Sequence, residues 1–199
     1  TLSVDSAKQR WSGNIKAVIA DAPGGSFGSL KQLHELCRQK GAKLILNLQG
    51  SFSAALGEES LAGQADAVAV NLDDNLLCPG VQGGALLTAD EPLFESAFAF
   101  HNCGRTFGEG CTLAFGEIIG GDLRIAEWQA CLIGTAVQEA RERLSLQAGK
   151  VQKLLEICDL PGLNPLSAAR GGSALLFRYD REQRNGQSLQ AVIDALRQN

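Results

Sequence analysis

Four short stretches of the chain bring together residue types that can do chemistry. Gly24-Gly25-Ser26-Phe27-Gly28 stands between a strand-like run and a helical one, where backbone amides and a helix N-terminus bind phosphate. Its spacing fits neither the dinucleotide GxGxxG pattern nor the Walker GxxxxGK(S/T) pattern, so a tight turn is the better reading. Gly50-Ser51-Phe52-Ser53-Ala54 falls one glycine short of the hydrolase elbow, and no histidine stands in an obvious partner position. Asp73-Asp74 beside Asn75 offers oxygen donors for a hard cation, although adjacent acids at a strand end are more often simply solvated. His101-Asn102-Cys103-Gly104-Arg105 gathers an imidazole, a thiol and a guanidinium, the components of an activated cysteine.

The six cysteines, Cys37, Cys78, Cys103, Cys111, Cys131 and Cys158, include no CxxC pair, and only His34 and His101 could join them at a metal. They read as buried reduced thiols, in effect small apolar residues, and no metal is expected. With 18 Lys+Arg against 22 Asp+Glu and no basic run between aromatics, nucleic acid and anionic membrane are poor partners. No apolar run reaches the roughly 18 to 20 residues that span a bilayer, and no basic-then-apolar signal opens the sequence. A cytoplasmic location is expected. There is no Met at all, so Thr1 is not a translation start, and the chain is expected to be a processed product, an excised domain or a fragment.

The elements that must position these residues follow from periodicity. Apolar runs at 17–20, 43–48 and 67–72 read as short strands, and between the first two the stretch 29–40 places Leu30, Leu33 and Cys37 on one helical face. That alternation predicts βαβ units on a mostly parallel sheet. Residues 85–88 read as a further strand. Residues 90–100 read as a helix, with Asp90 at its N-cap and Pro92 in its first turn. The glycine-rich stretch 101–122 holds no period and reads as a long loop able to carry a site. Ile125, Trp128, Leu132, Ala136, Ala140 and Leu144 predict a long helix over 124–146 with one buried face, followed by a second helix over 150–158. The tail predicts a strand at 173–179 and a helix at 188–197.

Three stretches, in this order, resemble one known family. Lys16-Ala17-Val18-Ile19 through Gly24 resembles its strand ending in a glycine turn, and Pro79-Gly80-Val81-Gln82-Gly83-Gly84-Ala85-Leu86-Leu87-Thr88 resembles its GEGG-type hairpin. Asn102-Cys103-Gly104-Arg105 followed by Arg124-Ile125-Ala126-Glu127-Trp128-Gln129-Ala130 resembles its N-x-G-R … R-M-S-E-x-Q-A-A signature. The family is that of the DegT/DnrJ/EryC1/StrS sugar aminotransferases, pyridoxal-phosphate enzymes of the type I aspartate-aminotransferase fold. The similarity covers roughly residues 1–197. It implies an α/β fold in which residues 1–148 are part of the large domain, a mostly parallel sheet with flanking helices. Residues 149–199 would begin a small α+β C-terminal domain. Relatives carry further sequence on both sides, including a Gly-Thr turn for the cofactor phosphate.

In such enzymes a lysine bonds covalently to the cofactor and moves a proton, work that an uncharged amide cannot do. The resemblance places that position at Asn75, give or take one residue, and no lysine occurs from residue 44 to 149. The aspartate that pairs with the pyridinium nitrogen corresponds to Asn47, the group covering the ring to Gly50, and the phosphate-binding serine to Asn71. The asparagine ahead of the Arg124 motif corresponds to Asp122, where a carboxylate would repel phosphate. Gly83, Gly84, Gly104, Arg124, Glu127 and Gln129 fit the family, whereas these chemical positions do not.

The expectation that follows is a catalytically degenerate aminotransferase-like domain with a vestigial pocket and no cofactor, serving in scaffolding, dimerisation or small-ligand binding. It would form a homodimer or pair with another aminotransferase-like chain. The alternative is a pyridoxal-phosphate-dependent sugar aminotransferase, aminating a nucleotide sugar or cyclitol at an atypical site, with Lys150 and Lys153 as candidate lysines. A third reading is a different activity on the same fold, using Cys103 or Asp73-Asp74.

Overall fold

The computed structural model describes residues 3–21, 29–48, 61–72, 81–107, 113–166 and 175–198. After a short helix α1 (Val4–Arg10), strand β1 (Ala17–Asp21), helix α2 (Leu30–Gln39) and strand β2 (Lys43–Asn47) form a βαβ unit. A 3-10 turn at Leu61–Gly63 leads to β3 (Ala67–Asn71), and β4 (Gly84–Leu87) completes a four-stranded sheet in the order β1-β2-β3-β4. The first three strands are parallel and β4 runs antiparallel to β3.

The core lies on one face of this sheet. Leu44, Leu46 and Leu48 alternate along β2 and its extension, and each is fully buried, as the period of two along a strand requires. They form one cluster with Val68 and Val70 of β3 and with Leu30, Leu33 and Cys37 of α2. The predicted face of α2 is present, with Leu36 also buried. Burial, with Asp66 nearby, pushes the Cys37 thiol above its ordinary pKa, in keeping with a reduced apolar role. The opposite sheet face is more open, and Ile19 is 63% exposed.

Helix α3 (Glu91–His101) begins as predicted, with the Asp90 carboxylate accepting from the Leu93 amide and Pro92 in its first turn. Two expectations need correcting. Part of the anticipated 101–122 loop is an antiparallel hairpin of β5 (Arg105–Phe107) and β6 (Leu113–Phe115). The two helices expected on either side of Gly149 are one 31-residue helix, α4 (Glu127–Ile157). The face that α4 buries is the predicted one in part: Ala136 and Ala140 enter the core as expected, together with Ile133, while Trp128 is 61% exposed. Hairpin β7 (Leu163–Pro165) and β8 (Phe177–Tyr179) and helix α5 (Leu189–Arg197), capped by Ser188, close the chain.

A polar network ties the amino-terminal edge of the sheet together. Asp66, just ahead of β3, accepts from the Leu44 amide at 2.8 Å and from Lys43 Nζ at 3.1 Å, and lies 3.3 Å from His34 Nε2. Lys43 also donates to Asp90 at 2.7 Å. Burial opposes the Asp66 charge, but the Leu44 amide and the Lys43 ammonium outweigh it and hold the carboxyl below its usual range. This edge secures the fold and leaves the opposite edge for ligands, since open parallel sheets bind them at the carboxyl ends of their strands.

Candidate active site at the carboxyl edge of the sheet

The carboxyl ends of β1, β2 and β3 carry Asp21, Asn47 and Asn71. Asp21 and Asn47 are register partners on neighbouring parallel strands, so both side chains leave the same face of the sheet. Asn47 Nδ2 donates to Asp21 Oδ1 at 2.6 Å. Asn71 is two residues beyond Ala69, the register partner of Asn47, and therefore belongs to the same face. Two of the sequence-predicted positions, Asn47 and Asn71, thus meet at one edge. Asp21, which lies just past the predicted strand and was not singled out in the sequence, joins them.

The glycine hairpin and the start of α4 close in beside this edge. A Cβ on Gly83 would come within 2.9 Å of Ile133 Cδ1, and one on Gly84 within 3.3 Å of the Val70 carbonyl. The pair of glycines lets β4 lie close to both α4 and β3. Gln129 joins the two pieces directly: its Oε1 accepts from the Ala126 amide at 3.1 Å and its Nε2 donates to the Gln82 carbonyl at 3.3 Å. In this way two motifs remote in sequence become one structural unit.

The N-x-G-R segment works through its backbone. Cys103 and Gly104 both adopt positive φ, 58° and 78°, and a Cβ on Gly104 would sit 2.4 Å from the Ile118 carbonyl. Asn102, buried at the end of α3, bridges to Asp122, with the Cys103 amide donating to Gly121 and the Leu123 amide to His101. Asp122 carries a bidentate ion pair to Arg124 at 2.8 and 2.9 Å. The guanidinium holds the Asp122 carboxyl below its ordinary range and is itself raised. Any repulsion of an anion by Asp122 is therefore largely offset.

The cysteine reading finds no support in geometry. His101 Nδ1 donates to the Phe98 carbonyl at 2.7 Å and its ring packs edge-on against Phe98, with centroids 5.2 Å apart, so it serves the helix end. Cys37, Cys103, Cys131 and Cys158 are free thiols. Among the described residues no group of three or more His, Cys, Asp or Glu side chains could hold a metal ion, and no helix is long and apolar enough to cross a membrane. Gly50, Asn75, the Gly24 to Gly28 turn, Ser51, the Asp73-Asp74 pair, Cys78 and Cys111 lie outside the described residues.

Known proteins share this fold. A candidate L-glutamine:3-amino-2,3-dideoxy-scyllo-inosose aminotransferase of Streptoalloteichus tenebrarius is 22% identical over 188 residues, which is 91% of this chain and 45% of that protein. The Escherichia coli GDP-4-keto-6-deoxy-D-mannose-3-dehydratase, solved with bound hydrated PLP, superposes with a TM-score of 0.79 at 13% identity, over 99% of this chain and 55% of that one. Helicobacter pylori PseC, an aminotransferase of pseudaminic acid biosynthesis, superposes with a TM-score of 0.73 at 15% identity, over 99% and 54%. The chain thus spans about half the length of these relatives and has the fold of type I pyridoxal-phosphate aminotransferases. The sequence profile of the DegT/DnrJ/EryC1/StrS aminotransferase family matches residues 1–167, and the chain belongs to that family.

Proposed function

We propose that this chain contributes to an atypical sugar or cyclitol aminotransferase site, with a pyridoxal-phosphate cofactor seated at the carboxyl edge of β1 to β3. The observation carrying this reading is the Asp21–Asn47 pair at 2.6 Å on that edge, in a chain of this family. The residues present fit the ring end of the cofactor, where a carboxylate faces a protonated nitrogen. They do not fit covalent attachment, because no lysine occurs from residue 44 to 149. When bound, the cofactor supplies an electron sink for moving an amino group. The chain's own part is to hold and orient: Asp21 and Asn47 at the ring, Asn71 beside them, and Arg124, buffered by Asp122, near the end of the glycine hairpin.

Titration of the purified chain with pyridoxal phosphate, followed by equilibrium dialysis and by borohydride trapping with intact mass, tests the proposal. Saturable binding without a trapped adduct supports it. An adduct on one lysine, Lys150 and Lys153 being candidates, supports a covalent site built differently. Absence of binding favours the second reading, a catalytically degenerate domain for scaffolding, dimerisation or small-ligand binding, for which the missing lysine and the uncharged Asn47 argue. Under either reading we propose a cytoplasmic protein that forms a homodimer or pairs with another aminotransferase-like chain.

A further inference from the structure

We propose that Asp21, one strand away from Asn47, is the residue that keeps a ring nitrogen protonated at this edge, with Asn47 as the positioning residue that fixes its carboxylate. The inference rests on the reading that the edge receives a pyridine cofactor.

Charge and register carry the argument. Of the three residues ending β1, β2 and β3, only Asp21 is ionisable; Asn47 and Asn71 are amides. A neutral amide at 47 can accept a hydrogen bond, but it gives a protonated heterocycle no compensating charge. The strands are about 4.8 Å apart, so a carboxylate on the neighbouring strand at the same register level is within side-chain reach of the same ligand atom. The structure shows that reach in use, since Asp21 Oδ1 comes within 2.6 Å of Asn47 Nδ2. A carboxylate has about four acceptor positions, and Asn47 occupies one. Asp21 is exposed, and among the described residues its one partner is Asn47, so its second oxygen can serve a ligand. Asn47 then acts as a donor that sets the carboxylate's rotation, in the manner of outer groups that orient a contacting carboxylate. The carboxylate thus stands one strand away from position 47, at the same level of the sheet.

The test uses pyridoxamine 5′-phosphate with the full chain, reading both affinity and the pH dependence of the bound cofactor's absorbance, which reports protonation of its ring nitrogen. Asp21→Asn should weaken binding about tenfold or more, as expected on losing a charge-assisted hydrogen bond, and should shift the ring-nitrogen transition to lower pH. Asn47→Ala should give a smaller change in the same direction. The double exchange Asp21→Asn with Asn47→Asp should restore both readouts, which a merely structural role for Asp21 would not do. If Asp21→Asn binds and titrates like the parent, or the double exchange restores neither readout, the inference is overturned while cofactor binding stands. If the parent chain does not bind the cofactor at all, the reading of the site fails and the inference falls with it.

Discussion

Replacing Asp66 by Ala tests whether the amino-terminal edge of the sheet holds the fold together. The Asp66 side chain is 15% exposed, accepts from the amide of fully buried Leu44 and from Lys43 Nζ, and lies 3.3 Å from His34 Nε2. Removing it leaves the Leu44 amide without this acceptor, at about 1 to 3 kcal/mol for an unsatisfied buried donor. Loss of the Lys43 contact adds about 0 to 1 kcal/mol, because Lys43 is 54% exposed and the pair is screened. A total near 3 kcal/mol corresponds to a fall in Tm of about 6 to 12 °C for a chain of this size. The pH dependence has a definite sign. The folded carboxyl titrates below its unfolded value, so its stabilisation is present above the ordinary carboxylate range and is lost as pH falls through the folded pKa. Urea melts at pH 7 and at progressively lower pH measure both effects, and the gap between parent and Asp66→Ala should narrow in acid. A variant within about 0.5 kcal/mol of the parent at pH 7, the range of ordinary surface changes, would refute this account of the edge.

Other substitutions probe the framework around the site. Gly104→Ala should destabilise by about 2 kcal/mol or more, because φ is 78° and the added Cβ would meet the Ile118 carbonyl at 2.4 Å; chemical denaturation measures it. Leu46→Ala should cost about 2 to 5 kcal/mol by opening a cavity under the sheet, seen as a lower urea midpoint. Ser188→Ala removes the acceptor for the Ala191 amide at the start of α5 and should cost about 1 kcal/mol, with hydrogen exchange rising locally in that helix.

Much of the sheet was legible because periodicity and burial agree. Leu44, Leu46 and Leu48 alternate as a strand facing a core must, and Leu30, Leu33 and Cys37 recur as a helix facing it must. The buried face of α4 was legible in part: Ala136 and Ala140 pack as their spacing predicts, with Ile133 beside them, while bulky Trp128 and Leu132 of the same predicted face stay exposed. Gly149 looked like a break, yet one helical glycine costs only about 1 kcal/mol and the helix runs through it. Strands β5 and β6, three residues each, are too short to establish a period. The site was legible in part. Asn47 and Asn71 were located by the family resemblance, and both end strands on one edge. Asp21 and the Asp66 network are products of strand register and tertiary contact, joining residues 26 and 22 or more positions apart, and no local pattern announces such pairs.

The central claim is that the carboxyl edge of β1 to β3 receives a pyridoxal-phosphate cofactor without covalent attachment to a lysine. The most direct measurement is equilibrium dialysis of the chain against pyridoxal phosphate, with a parallel borohydride-treated sample weighed intact. The account predicts saturable binding, weakened in Asp21→Asn, with the mass of the treated chain unchanged. A saturating chain whose mass rises by one reduced cofactor, or a chain that retains none, would contradict it.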